Sequence, residues 1–156
     1  MILYRIVRCV YADDLSGTGA RLYGGRWNSE GKSMVYMASS RSLAVLEALV
    51  HFNPTNLPDD YCMTMIETPD NIAEVDINLL PKNWQEYPEQ NILKQMGNAF
   101  LQQSKHLLLK VPSALVNEEY NYLMNPLHKL AGLVKILSKQ PFSFDERLKP
   151  PLNLPR

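Results

Sequence analysis

Three shortages bound what this chain can do: neither charge is in excess, cysteine is nearly absent, and no apolar stretch is long. Sixteen basic and sixteen acidic side chains among 156 residues cancel to a formal net charge of +0. A chain so balanced has no global field with which to hold a polyanion, so neither nucleic-acid binding nor attachment to an anionic membrane is expected. No run approaches the roughly 20 apolar residues that cross a bilayer. The N-terminus MILYRIVRC also lacks the basic, apolar, small-residue order of a signal peptide. The expectation is a cytoplasmic chain with no membrane partner.

Cys9 and Cys62 stand far apart in apolar, strand-like runs. Two cysteines build neither a disulfide framework nor a zinc site, and buried free thiols are expected. His51, His106 and His128 do not have the spacing of a metal motif, so no metal is expected.

What is present suits one folded domain spanning residues 1–156. Apolar residues at 46% can fill a core, and charged residues at 21% are too few for a disordered chain. ILYRIVRCV alternates as a strand does, and Gly17, Gly19, Gly24, Gly25 and Gly31 then crowd a loop that must turn sharply or approach something closely. SMVYMA reads as a short buried strand. SSRSLAVLEALVHF reads as a helix capped by Ser39 or Ser40. YCMTMIET and IAEVDI read as two strands joined by a turn at Pro69 and Asp70, and a second helix is expected from about Glu89 to Gln103. HLLLKVPSALV resumes strand character, NYLMNPLH suggests a loop or short helical turn, and GLVKILSKQPFSF one long strand or a strand pair. The tail from about residue 146 is expected to be extended, because the prolines of KPPLNLPR forbid a helix. About six strands and two helices, neither alternating strictly nor grouped apart, predict an α+β domain with a central mixed sheet flanked by helices.

GGRWNSEGKSMVYMA contains a Gly-Lys-Ser triplet, but a phosphate loop needs an earlier glycine where Arg26 stands, and a helix where strand-like MVYMA follows. That reading fails on both counts. No histidine stands near a serine in a nucleophile motif either, so a Ser-His-Asp hydrolase is not supported.

Four residues ask for an explanation. Glu47 lies in the middle of the apolar helix LAVLEALV, where a carboxylate must be paired, hydrogen-bonded or turned to solvent. Arg26, between a Gly-Gly turn and Trp27, is either a surface arginine or a planar fork for phosphate or carboxylate. Tyr36 is either a core tyrosine or a ring that stacks on a flat ligand. Ser113, after a proline at a strand end, is a turn residue or a site residue.

GARLYGGRWNSEGKSMVYMASSRSLAVLEAL, followed by LLLKVPSALVNEEYNYLMNP, closely resembles the RES-domain family, named for its arginine, glutamate and serine, over about residues 3 to 145. The resemblance implies an ADP-ribosyltransferase-like fold and a toxin of a bacterial toxin–antitoxin pair that destroys NAD+, which is then a substrate and not a cofactor. By position it makes Arg26, Tyr36, Glu47 and Ser113 the catalytic residues, with Ser39 a second candidate for the serine. Arg26, Trp27, Tyr36 and Asn121 would bind the substrate. It also implies a small helical, Xre-like antitoxin over the cleft and an oligomeric toxin–antitoxin complex. Glycohydrolase, phosphorylase and protein ADP-ribosyltransferase all remain open, as does an inactive antitoxin-binding protein in which Arg26 and Glu47 form a structural ion pair.

Overall fold

The structure is a computed structural model and describes residues 1–53 and 55–148. In chain order its elements are β1 (Ile2–Arg8), α1 (Thr18–Tyr23), β2 (Val35–Ala38), α2 (Arg41–Leu49), β3 (Tyr61–Glu67), β4 (Ile72–Glu74), α3 (Asn91–Gln103), β5 (Leu108–Pro112), β6 (Tyr120–Met124) and β7 (Lys135–Phe142). The strands form one sheet in the order β4-β5-β6-β2-β1-β3-β7. Only β4 and β5 run parallel, so the sheet is mixed, as expected.

Alternation along the strands divides the core between the two faces of the sheet. Val35, Met37, Tyr122 and Met124 join Leu3 and Ile66 on one face, covered by Leu130, Ala131 and Val134. Leu109, Val111 and Leu123 meet Trp27, Trp84, Leu93 and Phe100 on the other. On that second face α3 covers the β5–β6 half of the sheet, while Leu43 and Ala44 of α2 pack beside Tyr4, Ile6 and Ala38. The two helices leave the middle of the sheet to the site described below.

Helix α2 starts at Ser40, whose hydroxyl accepts from the Leu43 N–H at 3.1 Å and satisfies one of the first-turn donors. In α3, Leu93, Gly97 and Phe100 recur at helical spacing and face inward. Gly97 permits a close approach: a Cβ there would lie 1.6 Å from the Trp27 carbonyl oxygen. The Asn98 carboxamide takes the Ser29 N–H at 3.1 Å and donates to its hydroxyl at 2.8 Å, so α3 pins the loop that carries Arg26.

Several expectations need correction. Cys9 and Cys62 are disulfide-bonded, not free, because register sets Val7 of β1 opposite Cys62 and leaves the Cα atoms of Cys9 and Cys62 4.9 Å apart, within disulfide reach. Thr18–Tyr23, taken as loop, is a helix between Gly17 and Gly24. NYLM is strand β6, not a loop; buried on both faces, it shows none of the apolar–polar alternation that marks a half-exposed strand. The two strands expected on either side of Pro69 and Asp70 are present as β3 and β4, and β4 crosses to the opposite edge of the sheet beside β5. Glu146–Leu148 forms one turn of 3₁₀-helix, and the rest of the expected extended tail lies outside the described residues. No helix among the described residues is long and apolar enough to cross a membrane.

Candidate functional site

Strands β1 and β2 are adjacent at the centre of the sheet, yet they register only at Tyr4 and Ala38. Beyond that pair they splay, and Arg5, Ile6 and Val7 on one side face Val35, Tyr36 and Met37 on the other across a cleft of about 280 Å³. Glu47, Ala48 and His51 from α2 and the turn after it contribute to its walls. Gly17, Gly19 and Ala20 at the start of α1 contribute as well, with Asn121 of β6.

The carboxylate that looked out of place in an apolar helix has a built environment. Glu47 Oε1 accepts from Ser113 Oγ at 2.8 Å and from Asn121 Nδ2 at 2.6 Å. Those donors come from the ends of two further strands and lie 66 and 74 residues away along the chain. Two directional donors on one oxygen fix the rotation of the carboxylate; Glu47 lines the cleft, and its Oε2 has no hydrogen-bond partner among the described residues.

Ser113 is 1% exposed. Its hydroxyl proton goes to Glu47, and its oxygen accepts from the N–H groups of Leu115 at 3.1 Å and Val116 at 3.2 Å. A hydroxyl has one proton and two lone pairs, so this one has nothing left for a ligand. Ser113 is therefore a positioning residue for Glu47 and does not offer a hydroxyl to the cleft. Ser39, the other serine considered, has among the described residues only a backbone hydrogen bond, from its N–H to the Tyr120 carbonyl at 3.3 Å.

Tyr36 lines the cleft, and its hydroxyl proton is committed elsewhere. The hydroxyl donates to Asn28 Oδ1 at 2.6 Å and accepts from the Trp27 N–H at 3.1 Å. Burial pushes the phenol well above its ordinary range, so it stays neutral and presents a ring, with Arg26 and the Trp27 N–H opposing that shift. Asn28, fully buried, is the hub beneath it: its Nδ2 donates to the carbonyls of Ala20, Lys32 and Ser29 at 2.9, 3.0 and 3.2 Å. Gly25 completes the arrangement, since a Cβ there would stand 2.6 Å from the Tyr36 hydroxyl.

Arg26 is half-buried on the flank of this group, and its Nη1 donates to the carbonyls of Trp84 at 3.0 Å and Glu86 at 3.1 Å. It does not pair with Glu47, so the structural ion pair considered for an inactive protein is not formed. Trp27 is 2% exposed and packed among Trp84, Leu93 and Phe100. Its indole belongs to the core and offers no face to the cleft, contrary to expectation.

Arg5 was not singled out in the sequence. It lines the cleft, its Nη1 donates to the Asp14 carbonyl at 2.7 Å, and burial lowers its pKa against the pull of Asp14, without removing the charge of a guanidinium. A cation in the middle of the alternating strand ILYRIVR, flanked by Tyr4 and Ile6, is the signal that could have found it. Among the described residues no cluster of His, Cys, Asp and Glu could hold a metal ion.

The class these features define is an α+β sheet domain whose central strands part around one oriented carboxylate, with an aromatic ring and a half-buried arginine lining the same cleft. The RES domain family model matches residues 2–145, and the chain belongs to that family. It is 41% identical over 154 residues to the Toxin Res of Photorhabdus laumondii, covering 95% of this chain and 97% of that protein. It is likewise 41% identical over 145 residues to the Prs ADP-ribosylating toxin of a Sphingobium species, covering 90% of each. In fold it is similar to a chain of the crystal structure of the M. tuberculosis MbcT–MbcA toxin–antitoxin complex. That likeness has a TM-score of 0.76 at 18% identity, over 91% of this chain and 84% of that one. The coarse class of the chain is thus a RES-family toxin.

Proposed function

We propose that this chain is the toxin of a toxin–antitoxin pair and that it degrades NAD+ by cleaving the bond between nicotinamide and ribose. The observation that carries the reading is Glu47, which lines the cleft and is held there through one carboxylate oxygen by Ser113 and Asn121. When the glycosidic bond breaks, its electron pair leaves with the nicotinamide nitrogen and positive charge builds on the ribose carbon and ring oxygen. A carboxylate fixed in advance stabilises that charge without reorganising and can orient the ribose hydroxyls. A nucleophile then adds to the ribose carbon. If it is water, it loses a proton and the products are ADP-ribose and nicotinamide; inorganic phosphate would give the phosphorylated sugar instead.

The other residues divide the binding. Tyr36 contributes its ring to the flat nicotinamide, while Arg5 inside the cleft, and Arg26, which does not line it and is held at Nη1 by the Trp84 and Glu86 carbonyls, supply cations for the pyrophosphate. A cleft of about 280 Å³ is at the small end for ligand sites, so it encloses the reacting end of a dinucleotide and leaves the remainder to the surface. A helical, Xre-like antitoxin covering this cleft would silence the toxin in its own cell, and the MbcT–MbcA complex supports such a partner.

The similarity to a Prs ADP-ribosylating toxin favours a second reading, in which a protein side chain accepts the ADP-ribose. One assay separates them: purified chain is incubated with NAD+ labelled in the adenine, with and without phosphate, and the products are identified by mass. Label in small molecules with release of nicotinamide supports NAD+ degradation, and label on a protein supports transfer. Intact NAD+ in the presence of well-folded chain refutes both.

A further inference from the structure

Two groups in the cleft can carry positive charge, Arg5 and His51, and the second has no part in the chemistry above. His51 lies just past Val50, which caps α2 in helical conformation, and its N–H bonds to the Ala48 carbonyl at 3.1 Å, so the helical turn continues through it. Its imidazole is exposed, lines the cleft, and has no hydrogen-bond, ionic or ring partner among the described residues. An imidazole so placed offers one N–H donor when neutral and two when protonated.

The position follows from helix geometry. Residues four apart share a face and lie about 6 Å apart along the axis, a little more than one turn. Glu47 therefore stands at the inner end of this face against Ser113 and Asn121, and His51 stands one turn further out, toward solvent. Glu47 is the single acidic group among the described residues lining the cleft, so the inner end suits a centre that becomes cationic. The outer end, with His51, suits an anion. One helical turn is the scale of a ribose with its 5′ carbon, after which a nucleotide carries its first phosphate.

We infer that His51 binds a phosphoryl oxygen of the substrate, an inference that rests on the NAD+ reading. That oxygen belongs either to the dinucleotide pyrophosphate or to inorganic phosphate acting as the acceptor. Both present the same chemistry to the imidazole.

Steady-state kinetics on the full chain separate the sources. His51→Ala raises KM for NAD+ about tenfold, the loss of one hydrogen bond to a charged group, while kcat holds. His51→Arg, which restores charge and donors, brings KM back. If the bound oxygen is that of inorganic phosphate, the tenfold rise falls on KM for phosphate and KM for NAD+ is unchanged. Either pattern supports the inference. Unchanged KM for both, or a loss confined to kcat, overturns it.

A binding measurement needs no turnover. Inorganic pyrophosphate titrated into the chain shifts the His51 ring resonances, and His51→Ala weakens its binding about tenfold. Pyrophosphate bound through His51 by a chain that leaves NAD+ intact sinks the NAD+ reading and keeps the phosphoryl contact. NAD+ degradation indifferent to His51 sinks the inference alone. Because the side chain is exposed and without partners, neither substitution threatens the fold.

Discussion

Ser113→Ala tests whether a buried serine can act on the reaction through a carboxylate it holds. The substitution deletes one hydrogen bond to a charged acceptor, Glu47 Oε1 at 2.8 Å, and two acceptor interactions with the N–H groups of Leu115 and Val116. The charged bond is worth about 1.5–3 kcal/mol, and the two neutral ones about 1 kcal/mol each at most. Allowing for relaxation of the turn, the fold loses about 2–4 kcal/mol. For a domain of this size that lowers Tm by about 4–16 °C.

The kinetic effect has a different size and shape. Asn121 alone then holds Glu47 Oε1, and the carboxylate regains rotation that it must lose again as charge builds on the ribose. If most of the charged bond is expressed in the transition state, kcat falls about 10- to 100-fold with little change in KM. Ser113→Thr keeps a hydroxyl on the same carbon and recovers more of kcat than of stability, because its added methyl must fit a site that is 1% exposed. Thermal unfolding and NAD+ turnover on the same preparations give both quantities. Normal kcat at reduced Tm refutes the argument, since Ser113 would then serve only the turn at 113–116.

Three further outcomes follow from the packing around the cleft. Gly97→Ala puts a methyl where the Trp27 carbonyl lies, so it costs about 1–3 kcal/mol or more and displaces the loop holding Arg26; Tm falls and KM for NAD+ rises together. Tyr36→Phe removes a hydroxyl committed to Asn28 and Trp27 but keeps the ring, so it lowers stability by about 1–3 kcal/mol and retains more activity than Tyr36→Ala. Since the folded phenol's pKa is raised, its contribution is fully present below the unfolded value near pH 10 and is lost as pH rises through the folded one. Chemical unfolding above about pH 10 should therefore show a decline in stability that Tyr36→Phe makes shallower. Reduction of the Cys9–Cys62 bond, which spans 53 residues of sequence, removes up to about 4 kcal/mol of constraint on the unfolded chain. Thiol titration of the unfolded, unreduced protein should find no free cysteine, and thiols appearing there would refute the pairing.

Local features of the sequence were informative where one element decides the outcome. Strand β1, the α2 cap region and α3 were legible because alternation, a serine at the helix start and inward apolar spacing are each set within a few residues. Strand β6 was not, because a strand buried on both faces shows the same mixed run as a loop flanked by apolar residues. The pairing of Cys9 with Cys62 was hidden for a related reason. Their separation in sequence says nothing of register, and it is the β1–β3 ladder that brings them together. The prominent residues of the site were visible as chemical oddities, above all Glu47 in an apolar helix. Their roles were not, since hydrogen-bond saturation decides them.

That distinction changes how the family residues divide the work. A hydroxyl with no free lone pair and no free proton cannot recognise a ligand, so Ser113 becomes a support and not a substrate contact, while the Tyr36 hydroxyl, with its proton on Asn28 and one lone pair on the Trp27 N–H, has no proton left to donate. Glu47 keeps an oxygen free, Tyr36 keeps a ring, and Arg26 keeps whatever donors remain after Nη1 is held by two carbonyls. The supporting bonds arrive from elements that share no local sequence: β2 against the Gly25–Asn28 bend, and α2 against the ends of β5 and β6. The splay of β1 from β2 is what leaves room between those two supported groups. A substitution that restored pairing between these strands would close the cleft while preserving every hydrogen bond to Glu47. Activity in such a variant would show that the free carboxylate oxygen acts from somewhere other than the cleft.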